Sequence, residues 1–124
     1  MRVCIHRGTR EVGGTCIEIE SQGQRIVLDL GLPLDGIDSA AHLPDVSGFR
    51  EPQDSLLAVV ISHPHLDHYG LARHLPPDTP MIMGAATERI LKASTACRRR
   101  PSTAQLQQSL TRWPARRRQQ NRAD

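Results

Sequence analysis

The period of the apolar positions changes several times along this chain, and each change marks an element. VCI, residues 3–5, is a short apolar run that predicts a strand, followed by the glycine-containing loop HRGTREVGG. TCIEIE, residues 15–20, alternates apolar and polar positions, the period of a half-buried strand. SQGQ then supplies turn residues, and RIVLDLG, residues 25–31, predicts a second strand, so that the two form an antiparallel hairpin. Residues 32–55 contain Pro, Gly, Asp and Ser without sustained periodicity and predict a long loop, which inside a compact domain is usually functional or mobile. LLAVVIS, residues 56–62, is a continuous branched-aliphatic run, the mark of a strand buried on both faces.

YGLARHL, residues 69–75, predicts a short helix ended by Pro76 and Pro77, and MIM, residues 81–83, a further strand. GAATERILKAS, residues 84–94, predicts a helix with Ala86, Ile90 and Leu91 on one face and Glu88–Lys92 at i,i+4 spacing. The alternation of strands and helices indicates an α/β (α+β) body. No internal repeat is present.

After about Ala96 the character changes. Residues 1–96 carry 8 Lys and Arg against 12 Asp and Glu, a net of −4, whereas residues 97–124 carry 8 Arg against Asp124 alone, a net of +7. This divides the chain into a body, 1–96, and an Arg/Gln-rich tail, 97–124, in which only QLQQSL has the pattern for a turn or two of helix. The tail reads as a disordered, solvated end. The competing reading, a nucleic-acid arm, rests on charge and lacks interleaved aromatics for base stacking.

Composition sharpens the picture. Hydrophobic residues make up 38% of the 124, and the aromatics are one Phe, one Tyr and one Trp. The expected core is therefore built of Leu, Ile and Val, with little burial to spare in a domain of this size. Cys4, Cys16 and Cys97 form no even set and no CxxC pair, which with no secretory signal points to a reducing compartment. Cys4 and Cys16 fall in strand-like segments as small buried hydrophobes. The longest apolar run, LLAVVI, is far too short to cross a bilayer, so the expectation is a soluble, cytoplasmic chain with no membrane partner.

The candidate chemistry lies directly after that run, in ISHPHLDHYG, residues 61–70. A buried strand opening into a polar loop holds side chains rigidly at its carboxyl end. His63 and His65 project to the same side of an extended segment, and Asp67 and His68 follow where the chain turns. Four such groups suit one or two transition metals: imidazole favours zinc, while a carboxylate suits zinc, manganese or iron. A lone histidine is usually a surface or satisfied core residue, and His6, His42 and His74 are read that way.

HPHLDH resembles the HxHxDH signature of the metallo-β-lactamase superfamily. REVGGTCIEIE, RIVLDLGLPLD and SLLAVVISHPHLDHYGL extend the resemblance over roughly residues 1–95, most closely to the ribonuclease J and beta-CASP-related branch. The signature is specific for fold and poorly specific for substrate. The resemblance implies that His63 and His65 bind a first metal and that Asp67 and His68 bind a second. It also implies that Asp67 orients or deprotonates the attacking water, and that Asp29 is a buried structural aspartate near the site. The cofactor it implies is zinc, one or two ions.

The same resemblance implies the N-terminal half of an αββα sandwich, and an incomplete one. The family draws a later histidine, a bridging aspartate and a final histidine from downstream, yet after His74 this chain has no histidine. Asp78, Glu88, Cys97 and Asp124 remain as oxygen or sulfur candidates, none in a recognisable motif. The expectations are therefore a sheet face without its partner, a tail foreign to the family as after a frameshift or truncation, and a second chain needed to complete the site. The function implied is a metal-dependent hydrolase, with metal-activated water attacking a phosphodiester or ester-type substrate, RNA or a small molecule. The alternative is a truncated remnant or metal-binding module without hydrolase activity.

Overall fold

The computed structural model describes residues 1–97, and the expectations for a disordered tail and for a QLQQSL turn lie outside them. Five strands form one sheet in the order β1 to β5. They are β1 (Arg2–Arg7), β2 (Cys16–Ser21), β3 (Gln24–Leu28), β4 (Leu56–Ile61) and β5 (Met81–Met83). The first three are antiparallel, and β4 and β5 add parallel to β3. The predicted hairpin is β2–β3, closed at Gln22 and Gly23 with φ of 53° and 75°. Positive φ at both central residues is the turn whose twist matches that of paired strands.

The register places Cys16, Glu18, Val27, Val59, Ile61 and Met81 on one face of the sheet. Leu30, Leu43, Val46, Phe49, Leu71, Ala72 and Leu75 pack onto this face as one buried cluster. The long loop 32–55 thus supplies core. Its single regular piece, a 3₁₀ turn at Ala40–His42, is capped by the Ser39 hydroxyl, and Leu43, Val46 and Phe49 follow it inward. Phe49 is the largest fully buried side chain, which corrects the expectation of a core without aromatics: one ring fills the space between loop and sheet.

The opposite face carries Val3, Ile5, Ile17, Ile19, Ile26, Leu28, Val60 and Ile82. Among the described residues Val3, Ile5 and Ile82 on this face are exposed and the others half-buried, while Ala58 opposite Ile26 is buried. β1 is the edge strand, and Cys4 on it is exposed, against the expectation of a buried thiol; Cys16, one strand further in, is fully buried. The buried Glu18 is neutralised by Arg25, whose Nη1 lies 3.2 Å from Oε2.

The predicted helix over 69–75 is displaced. Its residues divide between α1 (Leu66–Tyr69) and a 3₁₀ turn at Ala72–His74. The cause is a competing partner: the Leu71 amide donates to the Leu30 carbonyl, 3.1 Å, instead of continuing the helix. Residues 30–32, beyond the end of β3, also donate to α1 through Leu30 N to His68 O and Leu32 N to Leu66 O, 2.8 Å each. Gly70 permits the approach, since a Cβ there would come within 2.7 Å of Leu32 Cβ. The second predicted helix is α2 (Ala85–Cys97), longer than expected. It buries Thr87 and Leu91 at i,i+4, while Ala86 and Ile90 face solvent, because the rotation is set by what the helix lies against. Its Glu88–Lys92 pair forms as predicted, at 2.5 Å. No described helix is long and apolar enough to cross a membrane.

Candidate metal centre

The histidine-rich segment starts where β4 leaves the sheet. β4 is held between β3 and β5, so its carboxyl end is a fixed point from which Ser62 and His63 emerge. His65 stays extended (φ −108°, ψ 146°) and precedes the first turn of α1. Its carbonyl accepts from the amides of His68 and Tyr69, 2.9 and 3.1 Å, and this tight turn brings Asp67 and His68 back toward His63. The imidazoles of His63 and His68 lie 3.7 Å apart between centroids.

His63, Asp67 and His68 each offer one ligand atom to a group whose members all lie within 4.8 Å of one another, and all three are half-buried. His65 stands outside this group; its exposed ring meets that of His63 edge to face at 4.8 Å. Of the four residues singled out in the sequence, the structure therefore gathers three and leaves one beside them. His74 is elsewhere, bound to Asp38 at 2.8 Å, and His6 lies 3.5 Å from Glu18 on the far strand.

Asp29 ties the group to the sheet. It is buried, and with φ of +59° it turns out of the line of β3 while its amide still donates to the Val60 carbonyl, 2.8 Å. Aspartate is among the few side chains that enter this region at modest cost. The turn aims the carboxylate at the loop after β4. Oδ1 accepts from the Ser62 amide at 2.7 Å, and Oδ2 lies 2.8 Å from the Ser62 hydroxyl and 2.7 Å from His68 Nδ1.

An ionised carboxylate only accepts, so His68 carries a hydrogen on Nδ1, and in its neutral form it presents the Nε2 lone pair. That Nε2 faces Asp67 Oδ2 at 3.3 Å. In that neutral form two acceptors held this close repel unless a cation joins them, either a metal ion or a proton on Nε2. The distance also matches the roughly 3.3 Å between ligands of a tetrahedral ion with bonds of about 2.0–2.1 Å. The donor set thus fits a metal ion, and a carboxylate behind a ligating histidine is the usual support of such a ligand.

Two supporting residues were not picked out from the sequence. Ser62 touches Asp29, His63 and His68, and only its place beside HPHLDH hinted at a role. Gly31 lets the segment after β3 pass under α1: a Cβ there would lie 1.7 Å from the Asp67 carbonyl oxygen. Its signal was the glycine ending RIVLDLG.

A family model described as the metallo-beta-lactamase superfamily matches residues 9–88. A transcription termination factor FttA from Methanothermobacter thermautotrophicus is 38% identical over 93 residues, which is 73% of this chain and 15% of that protein. An RNase J-like protein from Methanocaldococcus jannaschii is 35% identical over 67 residues, 53% of this chain and 14% of that one. A ribonuclease J from Helicobacter pylori is 34% identical over 71 residues, 55% of this chain and 10% of that enzyme. A protein of unknown function from Enterococcus faecalis V583 shares the fold, with a TM-score of 0.64 and 25% identity over 77% of this chain and 28% of its own. The chain therefore spans a small part of each of these relatives.

Proposed function

The chain belongs to the metallo-beta-lactamase superfamily, and from that premise we propose that its site is that of a zinc-dependent hydrolase acting on phosphodiester bonds, with RNA as the substrate class. The observation that carries the proposal is the convergence of His63, Asp67 and His68, with Asp29 behind His68. The names of the relatives, ribonuclease J and RNase J-like protein, favour RNA over other phosphodiesters.

In this reading His63 and His68 supply neutral imidazoles and Asp67 a carboxylate, while His65 completes the set by a side-chain rotation from its exposed position beside His63. A bound divalent ion supplies Lewis acidity and a water that ionises near neutral pH. The protein's own part is to hold the ligands and to manage protons. Asp29 keeps His68 in one tautomer. Asp67, whose side chain is partly exposed, would orient the attacking water and accept its proton.

A second reading, a metal-binding module without hydrolase activity, is favoured by the position of His65 outside the donor group. Elemental analysis of the purified 124-residue chain, with hydrolysis of a phosphodiester reporter, separates the two. Zinc that is retained by the chain and lost in a His63→Ala/His65→Ala variant, with reporter cleavage that disappears alongside it, is the expected result. Zinc retention without cleavage selects the module. A chain that holds no metal overturns both.

A further inference from the structure

The hydroxyl of Ser62 has a single hydrogen and three polar neighbours. Its Oγ lies 2.8 Å from Asp29 Oδ2, 3.0 Å from His63 Nδ1 and 3.3 Å from His68 Nδ1. Asp29 as a carboxylate can only accept, and a hydrogen bond to an ionised acceptor is roughly twice as strong as one between neutral groups. The Ser62 hydrogen therefore goes to Asp29. What remains on Oγ is lone pairs, so His63 Nδ1 must be the donor in the 3.0 Å contact. Among the described residues this is the one side-chain hydrogen bond of His63.

We propose that Ser62 is a positioning residue that relays the acceptor character of Asp29 to His63, fixing that ring with its hydrogen on Nδ1 and its lone pair on Nε2. His68 is fixed in the same tautomer by Asp29 directly, at 2.7 Å. One buried carboxylate thus orients two imidazoles, the second through a hydroxyl. The inference rests on the proposed function only in taking His63 as a metal ligand; the tautomer itself is a property of the metal-free chain. Because His68 has its own bond to Asp29, removing the hydroxyl releases one ring and leaves the other held, an asymmetry that general damage to the fold does not produce.

The test is a long-range ¹H–¹⁵N correlation spectrum of the full 124-residue chain, histidine-labelled, metal-free, and at a mildly alkaline pH where imidazoles are neutral. Wild-type protein shows both His63 and His68 with hydrogen on Nδ1. In Ser62→Ala, His63 changes to hydrogen on Nε2 or to a mixture while His68 is unchanged, and Ser62→Thr restores the wild-type pattern. Zinc affinity, measured by competition with a chromophoric chelator, falls about 10–100-fold in Ser62→Ala and returns in Ser62→Thr. Wild-type His63 with hydrogen on Nε2, or a tautomer indifferent to Ser62→Ala, overturns the proposal. A chain that shows the tautomer pattern but binds no zinc sustains the relay and defeats the hydrolase reading instead.

Discussion

Replacing Asp29 by Asn tests the central claim about the site with a change of one atom. Asparagine tolerates the positive φ of this position as aspartate does, so the backbone at +59° is not newly strained. Oδ1 keeps its 2.7 Å bond from the Ser62 amide. Oδ2 becomes an NH2 group and can no longer accept from the Ser62 hydroxyl or from His68 Nδ1, at 2.8 and 2.7 Å. A hydrogen bond to a charged group contributes about 1.5–3 kcal/mol. Two are lost, but Ser62 is exposed and His68 half-buried, so water recovers part of each. The expected destabilisation is about 1.5–3 kcal/mol in total, read as a shift in the urea midpoint at unchanged slope. The amide also turns a donor toward His68 Nδ1 and favours the opposite tautomer, which removes the Nε2 lone pair from Asp67. Zinc affinity should fall about 10–100-fold, the usual loss for a carboxylate behind a ligating histidine. An Asp29→Asn protein with zinc affinity within about twofold of wild type would refute the assignment of Asp29 as the support of a metal ligand.

Two further outcomes follow from the packing. Gly31→Ala places a Cβ 1.7 Å from the Asp67 carbonyl, against backbone that has no room to give. The loss should reach or exceed the upper end of the roughly 1–3 kcal/mol typical of overpacking, seen as a lowered melting temperature or insoluble expression, and a melt like wild type contradicts the close approach. Burial, with the nearby Glu18 charge, pushes the Cys16 thiol up to about 12 from 9.0. The native state holds this proton where the unfolded chain releases it, so stability present below about pH 9 is lost progressively as pH rises toward 12. Cys16→Ala should flatten that part of the stability–pH curve, and in the native protein iodoacetamide should modify the exposed Cys4 while sparing Cys16.

The central strands of this protein were legible from local pattern: TCIEIE alternates, LLAVVIS is a branched-aliphatic run of strand length, and SQGQ supplies the turn between β2 and β3. The helix over 69–75 was misplaced because its boundary depends on a carbonyl from a distant segment, Leu30, capturing the Leu71 amide. Likewise no local pattern says that a loop without periodicity carries Phe49 into the core, or that α2 is turned to bury Thr87 and Leu91 in place of Ala86 and Ile90.

For the site, the sequence by itself determined the residue types and their spacing, and through them the resemblance to the family and the expectation of a metal. HPHLDH concentrates donor groups at the end of a buried strand, and that information is local. Tertiary structure alone decided which of them meet. It gathers His63, Asp67 and His68 and leaves His65 at the rim, because the tight turn of α1 folds the last two residues back while the extended His65 points away. It also joins Asp29 to Ser62 and His68 across more than thirty positions of chain, since β3 and β4 run parallel and end side by side. Neighbourhood at the carboxyl ends of paired strands is a property of the sheet, and hydrogen-bond partners set by it cannot be read from either segment alone.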